Sequence, residues 1–523
     1  MDADVIVVGA GPTGLMLAGE LRLGGARVLV VERLEQPTGQ SRGLGFTARA
    51  MEVFEQRGLL PWFGDLEKAP QGHFGGLRFD YTVLKDAHFG ARGVPQSHTE
   101  DVLERWAISL GADIRRGWEF LELDNHTDHT DQSDHTDPVT ITVATPNGIQ
   151  HLTAPYLVGC GGGSSPVRRA AGFSFPGTDA TRTMYLADVA GCRLRPRFLG
   201  ERLPGGMVMA APLGDGVDRI IVVPDAVPGR QRERTVSFAE IADAWRQITG
   251  EDISGGTAHW VSSFTDTTRQ VTEYRRGRVL LAGDAAHVHL PAGGQGLSTG
   301  VQDAANLGWK LAAQVRGHAP AGLLDTYHTE RHAAGARLLM NTHAQGMLFV
   351  GGPEMDPLRE LMGELIRYDD VKRHLAGLVS GLDVRYDVGP GTHPLLGRRL
   401  PARPLTGPTG PTGTMELLHP ARGVLLDLRD DPALRAVAAP WRDRVLTATV
   451  RPQEGEPDLS ATTALLVRPD GYVAWATETD PDLEELRTAL LRWFSTPHDT
   501  SQDTPDETAI DAAQAATAAG SPA

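Results

Sequence analysis

The segment Gly9-Ala10-Gly11-Pro12-Thr13-Gly14 lies between an apolar run at 4–8 and a helical pattern at 12–23, and a second apolar run at 27–31 ends against Glu32. This is the start of a strand-turn-helix-strand unit with G-x-G-x-x-G spacing, and few folds accommodate it. The first glycine permits a tight turn, the second lets backbone approach a pyrophosphate, and the third allows close packing of helix on strand. The helix start contributes free N–H groups and the positive end of its dipole. A carboxylate at Glu32 can accept both hydroxyls of an adenosine ribose and would repel a 2'-phosphate. Gly9, Gly11, Pro12, Thr13, Gly14, Glu32 and Arg33 are therefore candidates for holding an adenine dinucleotide. The turn alone does not separate NAD from FAD.

With 523 residues, 41% of them hydrophobic, the chain is long enough for two or three domains. Its two cysteines, Cys160 and Cys192, have neither zinc nor C-x-x-C spacing, so no metal site is expected and a reducing cytoplasm is. No apolar run reaches the roughly 20 residues of a membrane span, and the first residues lack the basic start of a secretory signal. A net charge of -16 opposes nucleic-acid binding. Any self-association is expected to give a homodimer.

Helices are expected over 47–57 and 100–110, separated by a glycine- and aromatic-rich stretch at 71–79. The polar run NHTDHTDQSDHTD at 125–137 reads as an exposed hairpin loop whose histidines and aspartates lack anything to fix metal geometry. A strand at 156–158 runs into a second glycine cluster at 159–163. Short β patterns dominate 175–264, including 206–212 and 219–223, with one helix at 238–248. A strand at 278–282 is followed by helices over 296–315, 323–348 and 357–378. After a proline-rich linker at 401–411, strands at 423–428, 445–450 and 464–467 alternate with helical patterns. The tail at 496–523 is expected to be disordered.

What separates the cofactors lies far from the first turn. The strand at 278–281 ends at Gly283-Asp284, and Pro291-Ala292-Gly293-Gly294-Gln295-Gly296 leads into a long helix. A carboxylate at such a tip can hold ribityl hydroxyls, and a helix start aimed at the edge of an isoalloxazine stabilises the negative charge of reduced flavin. The stretch RVLLAGDAAHVHLPAGGQGLSTGVQDAANLGWKLA resembles the second FAD motif of the single-component flavoprotein aromatic hydroxylases, the p-hydroxybenzoate and phenol hydroxylase class. SRGLGFTARAMEVFEQRGLL, QGHFGGL, VPQSHTE, LPGGMVM and LLMNTHAQG are most similar to the angucycline polyketide hydroxylases of actinomycetes. LLVRPDGYVAWA resembles their thioredoxin-like appendage, here without C-x-x-C.

The resemblance implies an α/β fold: a Rossmann-like FAD-binding domain (1–174 and 265–395), an inserted β-sheet substrate-binding domain (175–264), and a C-terminal thioredoxin-like domain (396–495). It implies FAD as cofactor, NADPH or NADH as co-substrate, and transfer of oxygen from O2 to an aromatic polyketide through a flavin 4a-hydroperoxide, in antibiotic biosynthesis. Arg42 and Gln96 would contact the FAD. Gly283 and Asp284 would hold its centre, and Pro291, Gly294, Gln295, Gly296 and Leu297 would border the ring. One departure stands out. The family's Cys-Asp-Gly is Cys160-Gly161-Gly162 here, so the carboxylate thought to organise FAD and the nicotinamide is absent at Gly161. His287 and His289 read as structural hydrogen-bonding groups beneath the flavin. No side chain stands out as a catalytic base; His73 is the candidate, against a packed role for a histidine among aromatics. His73, Phe74, Met207, Met209 and Pro291 are the candidate pocket residues. Two other enzymatic readings share this chemistry: inactivation of a rifamycin- or tetracycline-type antibiotic, and Baeyer-Villiger oxygenation. The non-enzymatic reading is a flavin-holding assembly partner.

Overall fold

The computed structural model describes residues 1–66, 68–84, 90–124, 138–225, 236–453, 459 and 461–497. The run at 125–137 and the tail beyond 497 lie outside the described residues. Strands β1 (Val5–Val8), β2 (Val28–Glu32), β3 (Asp113–Arg116), β4 (Tyr156–Gly159) and β5 (Val279–Leu281) form a parallel sheet in the order β5-β4-β1-β2-β3. The short antiparallel strand Arg275–Arg276 completes the β5 edge. The four residues of β1 are all apolar and fully covered, as a parallel strand between helical layers requires. Helix α1 (Pro12–Leu23) packs on one face against α2 (Gln96–Ser109) and α3 (Gln295–Val315). Glycines bring the helices together: a Cβ at Gly19 would collide with Trp106, and one at Gly308 with Glu20.

A five-stranded antiparallel sheet follows, in the order Arg197–Leu203, Gly206–Gly214, Val217–Pro224, Thr183–Ala190, Thr257–Thr265. Helix Phe238–Thr249 closes one face with Ile241 and Trp245, started by a Ser237/Glu240 capping box and stopped by left-handed Gly250. Beyond α3 comes α4 (Asp325–Val350). The apolar pattern at 357–378, expected as one helix, is two: α5 (Asp356–Leu365) and α6 (Asp369–Ser380), separated where Tyr368 turns extended and caps the second. The proline-rich stretch at 401–411 is no linker. Pro404–Gly407 and Gly410–Gly413 pair as a hairpin whose first strand also joins Arg451–Pro452; Pro404 opens that middle strand and Pro411 lies in the outer one, positions where a proline's missing N–H costs little. The glycine- and aromatic-rich stretch is likewise a hairpin, Gln71–Phe74 with Leu77–Asp80. The last unit is a four-stranded sheet, Val445–Thr449, Gly423–Asp427, Ala464–Val467, Val473–Thr477, covered by helices Pro432–Ala438 and Leu483–Phe494. Among the described residues no helix is long and apolar enough to cross a membrane.

Candidate functional site

The carboxyl ends of β1, β2, β4 and β5 lie side by side, the usual place for a ligand crevice in such a sheet. Gly9 leaves β1 at φ +113, where a side chain is strained and a Cβ would lie 2.7 Å from the Cys160 carbonyl oxygen. A Cβ at Gly14 would collide with the Gly9 carbonyl oxygen, so the third glycine is required by packing. Gly11 differs. Its backbone is extended (φ -81, ψ 179), and a Cβ there would meet nothing within 4 Å. It faces open crevice at the start of α1. The Glu32 carboxylate accepts N–H groups from Ala10 and Leu34, each at 3.0 Å, which ties the turn to the end of β2 and leaves further lone pairs facing out. Arg33, next to it, is exposed.

The distant motif meets the first at Thr13. A Cβ on Gly283 would lie 2.6 Å from Thr13 Oγ1, and one on Gly300, in the second turn of α3, would strike the same atom. These glycines let β5, α3 and the α1 start converge. Gly283 adopts φ +62 and donates its N–H to Asp303 Oδ2 (3.1 Å). Asp303 is buried and also takes His287 Nε2 (2.8 Å) and Arg331 Nε (2.6 Å). Burial alone would raise its carboxyl, but Arg331 and His287 outweigh burial and hold it below the ordinary carboxylate range. Asp284 projects outward, exposed at the tip. His287 is thus a buried support for the tip. His289, held in a neutral form by burial, bonds the Leu290 carbonyl through Nδ1 at 2.7 Å.

Gly293 and Gly294 are consecutive left-handed residues, φ 68 and 65, at the start of α3 beside exposed Pro291. Like Gly11, Gly294 has no atom within 4 Å of where a Cβ would be. Gln295 turns inward: its Oε1 accepts from Asn341 Nδ2 (2.8 Å), Asn341 Oδ1 from Gln345 Nε2 (3.0 Å), and Gln345 Oε1 from the Gly75 N–H (3.3 Å). The Gln295 side chain therefore supports the start of α3 from within, while Gly296 keeps accessible surface. Leu297 packs on Gly43, whose backbone exchanges two bonds with Gln96 (Gln96 N–H to Gly43 O, 3.0 Å; Gly43 N–H to Gln96 Oε1, 3.3 Å). Arg42, exposed beside Gly43, is thereby brought to the α3 side of the crevice.

Gly161 lies beside Gly9, and a Cβ there would approach Pro166 Cδ to 3.3 Å. Arg168 fixes this loop, donating to Gly163 O (2.7 Å) and Ala285 O (3.0 Å) with its guanidinium 3.9 Å from the Phe175 ring centre. Burial lowers its pKa to about 10.

Beyond Pro291, the inner face of the five-stranded sheet presents Met184, Met207 and Val223 to Leu290 and Ala292, with Met209, Ile221, Phe264 and Phe349 half-buried around them. His73 stacks on Phe349 (ring centres 5.7 Å, planes 23° apart) and accepts the Gly76 N–H at Nδ1 (3.3 Å). Burial lowers its pKa, so it is neutral at pH 7. Phe74 points the other way, into a core of Phe79, Tyr81, Leu348 and Val379. Met207 is equally covered. Of the five pocket candidates, His73, Met209 and Pro291 retain accessible surface, while Phe74 and Met207 pack. Sequence reasoning missed Asp303, Arg331, Asn341, Gln345, Arg168 and Phe349. For the polar ones the available signal was a polar group in a segment otherwise read as buried, which must find a partner.

A family model described as "FAD binding domain" matches residues 2–342, and one described as "Aromatic-ring hydroxylase, C-terminal" matches 393–497. The chain belongs to the FAD-dependent aromatic-ring hydroxylases. It is 43% identical over 511 residues to the 12-dehydrotetracycline 5-monooxygenase/anhydrotetracycline 6-monooxygenase of Streptomyces rimosus, covering 95% of this chain and 100% of that one. It is 43% identical over 500 residues to a rifampicin monooxygenase of Streptomyces venezuelae, covering 94% and 98%. The solved structure of CabE, an aromatic hydroxylase from angucycline biosynthesis, is 58% identical and superposes with a TM-score of 0.90 over 95% of this chain and 100% of that one. The enzyme is therefore a flavin-dependent aromatic monooxygenase, and the bare backbone at Gly11 and Gly294, with no atom within 4 Å of either Cβ position, is compatible with a cofactor that needs close approach.

Proposed function

We propose that this hydroxylase adds one oxygen atom from O2 to a polycyclic aromatic polyketide of the angucyclinone kind, in the cytoplasm, at the expense of NADPH or NADH. The carrying observation is the half-buried apolar rim of Met209, Ile221, Phe264 and Phe349 around the packed Met184–Met207–Leu290 core beside the Pro291–Gly294 loop, side chains suited to a flat, largely apolar ring system. The tetracycline and angucycline relatives support the same substrate class.

Gly9, Gly11, Pro12, Thr13 and Gly14 would hold the pyrophosphate, Glu32 and Arg33 the adenosine, Arg42, Gln96, Gly283 and Asp284 the central chain, and Pro291 with Gly294 to Leu297 the ring. Bound FAD supplies the electrons that activate oxygen. The protein orients the substrate and excludes water: Met209, Ile221 and Phe264 cover it from the sheet side, and His73 with Phe349 from the hairpin side. Neutral His73, whose Nδ1 already accepts a backbone N–H, is left with Nε2–H as a donor to a substrate oxygen. Glu32 carries no information on the choice between nicotinamides, because the FAD occupies its site.

The test is incubation with FAD, oxygen, NADPH or NADH and a panel of polycyclic phenols, followed by mass spectrometry. A product with one added oxygen and substrate-stimulated NAD(P)H consumption are expected. A flavin that no nicotinamide reduces, or reduced flavin that only makes peroxide with every phenol, overturns the proposal. The rifampicin relative gives the antibiotic-inactivating reading a concrete form, and rifampicin belongs in the same panel.

A further inference from the structure

The carboxyl end of α4 is held by two guanidinium groups that the cofactor crevice does not require. Arg202, on the outer strand of the five-stranded sheet, donates to the carbonyl oxygens of Gly351 and Phe349, the latter at 2.5 Å. Arg359, from α5, donates to Leu348 O (2.6 Å), Gly351 O (2.6 Å) and Gly352 O (3.1 Å). These are the carbonyls a helix end leaves without partners, at the negative end of its dipole. Burial, and then the facing Arg359, depress the pKa of Arg202, so the two cations are kept together against their own repulsion.

What they fix is Phe349. Its ring stacks on His73 and fits between two glycines that give it room: a Cβ at Gly76 would lie 3.4 Å from its Cδ2, and one at Gly200 3.3 Å from its Cζ and 3.0 Å from Met207 Sδ. Both glycines are left-handed, φ +91 and +78. One and two turns back along α4, Gln345 and Asn341 tie the same helix to Gly75 of the hairpin and to Gln295 at the start of α3. Hairpin, sheet and flavin loop thus meet at one half-buried aromatic ring whose backbone is clamped from both sides.

We propose that Phe349, stacked on His73 and clamped by Arg202 and Arg359, is the wall that sets how large a ring system can lie against the Pro291–Gly294 loop. The inference rests on the reading of the substrate as a polycyclic aromatic. Phe349 acts as a specificity-determining residue, and the two arginines as positioning residues.

The test measures dissociation constants of 1-naphthol and anhydrotetracycline from the change each makes in the visible bands of the flavin in the FAD-loaded enzyme. In Phe349→Ala, removal of the stacking surface and the space left behind should shift the ratio of the two constants by about tenfold towards the larger ligand, with flavin content unchanged. Arg202→Gln and Arg359→Gln should shift it the same way to a smaller extent. Arg202→Lys, which keeps the charge and loses the fork, should recover only part of the loss. Phe349→Leu is the second variant should the alanine form fail to retain flavin, and it should shift the ratio in the same direction. A ratio within about twofold of wild type in the flavin-loaded alanine or leucine form overturns the wall, because the stacking contact alone should exceed that. A wild-type enzyme whose bands respond to neither ligand overturns the functional reading itself, a distinguishable result.

Discussion

Glu330→Gln tests whether the C-terminal unit is locked to the flavin-binding core by charge. Glu330, on α4, is buried and accepts from Lys310 Nζ at 2.7 Å, Asn306 Nδ2 at 2.7 Å, and Arg468 Nη1 and Nη2 at 2.6 and 2.8 Å. Arg468 belongs to the turn after strand Ala464–Val467, so the carboxylate joins the two units. Burial alone would raise the Glu330 pKa, but Arg468 and then Lys310 overcome it and bring it to about 2. Lys310 moves the other way to about 8, because it is buried and shares this carboxylate with Arg468, which repels it. A fall from the ordinary 4.5 to about 2 is worth about 3 kcal/mol at about 1.4 kcal/mol per tenfold change in proton affinity. That agrees with the roughly 3–5 kcal/mol lost when one partner of a buried pair is removed. Since the folded pKa is depressed, the contribution is fully present above about pH 4.5 and is lost as pH falls towards 2. Glutamine mimics the protonated acid, so the stability gap between wild type and variant should be about 3 kcal/mol at pH 7 and close below pH 4.5. Urea unfolding with saturating FAD, followed by tryptophan fluorescence, reads it directly: the Arg468 guanidinium lies 4.5 Å from the Trp493 ring and 5.5 Å from that of Trp309. Equal stability at pH 7, or a gap that stays constant from pH 6 to pH 3, refutes the reasoning.

Gly11→Ala should fold and melt like the apoprotein yet lose FAD affinity by on the order of tenfold or more, because its methyl meets no protein atom and enters cofactor space, whereas Gly14→Ala should destabilise the fold by about 1–3 kcal/mol. Flavin content and thermal melting separate the two, and a Gly11→Ala enzyme that keeps its full flavin would be the contrary result. Gly161→Asp should leave FAD content similar, since the added side chain needs only a small shift of Pro166, and should speed flavin reduction by NADPH in a stopped-flow trace. An unchanged rate would remove the missing carboxylate from the account. Asp303→Asn should cost about 3 kcal/mol, because buried Arg331 loses its counter-ion, and should weaken FAD binding through the Gly283 tip. Retained FAD affinity in a folded variant would show that the tip needs no such support.

What could be read from the chain follows the range of the interactions. Glycine spacing, strand alternation and helix periodicity act over a few residues, so the first turn, the Gly283-Asp284 tip and the strands Val5–Val8, Val28–Glu32, Tyr156–Gly159 and Val279–Leu281 were legible within a residue or two, while the charged strand Asp113–Arg116 was not. The break between α5 and α6 was missed because the apolar period runs through it; the signal passed over was Asp369-Asp370, an acidic first turn. The proline-rich stretch at 401–411 reads as a linker, whereas Pro404 is the first residue of a strand and Pro411 lies in an outer one, where the ladder tolerates them. The buried polar framework was beyond local reasoning, since nothing near Asp303 in sequence announces Arg331, and nothing near Gly75 announces Gln345. These groups also explain why the crevice can be so open. Bare glycine backbone at Gly11, Gly283 and Gly294 carries no side chain to hold it in place, so its shape must be imposed from behind. Asp303 does this at Gly283, the Gln295-Asn341-Gln345 chain at the Pro291–Gly294 loop, and Glu32 at the first turn. Burying so many polar groups is a poor route to stability, and replacing them with apolar side chains of equal volume would often be neutral or better. Their placement directly behind the glycines indicates that what they secure is the geometry of the crevice.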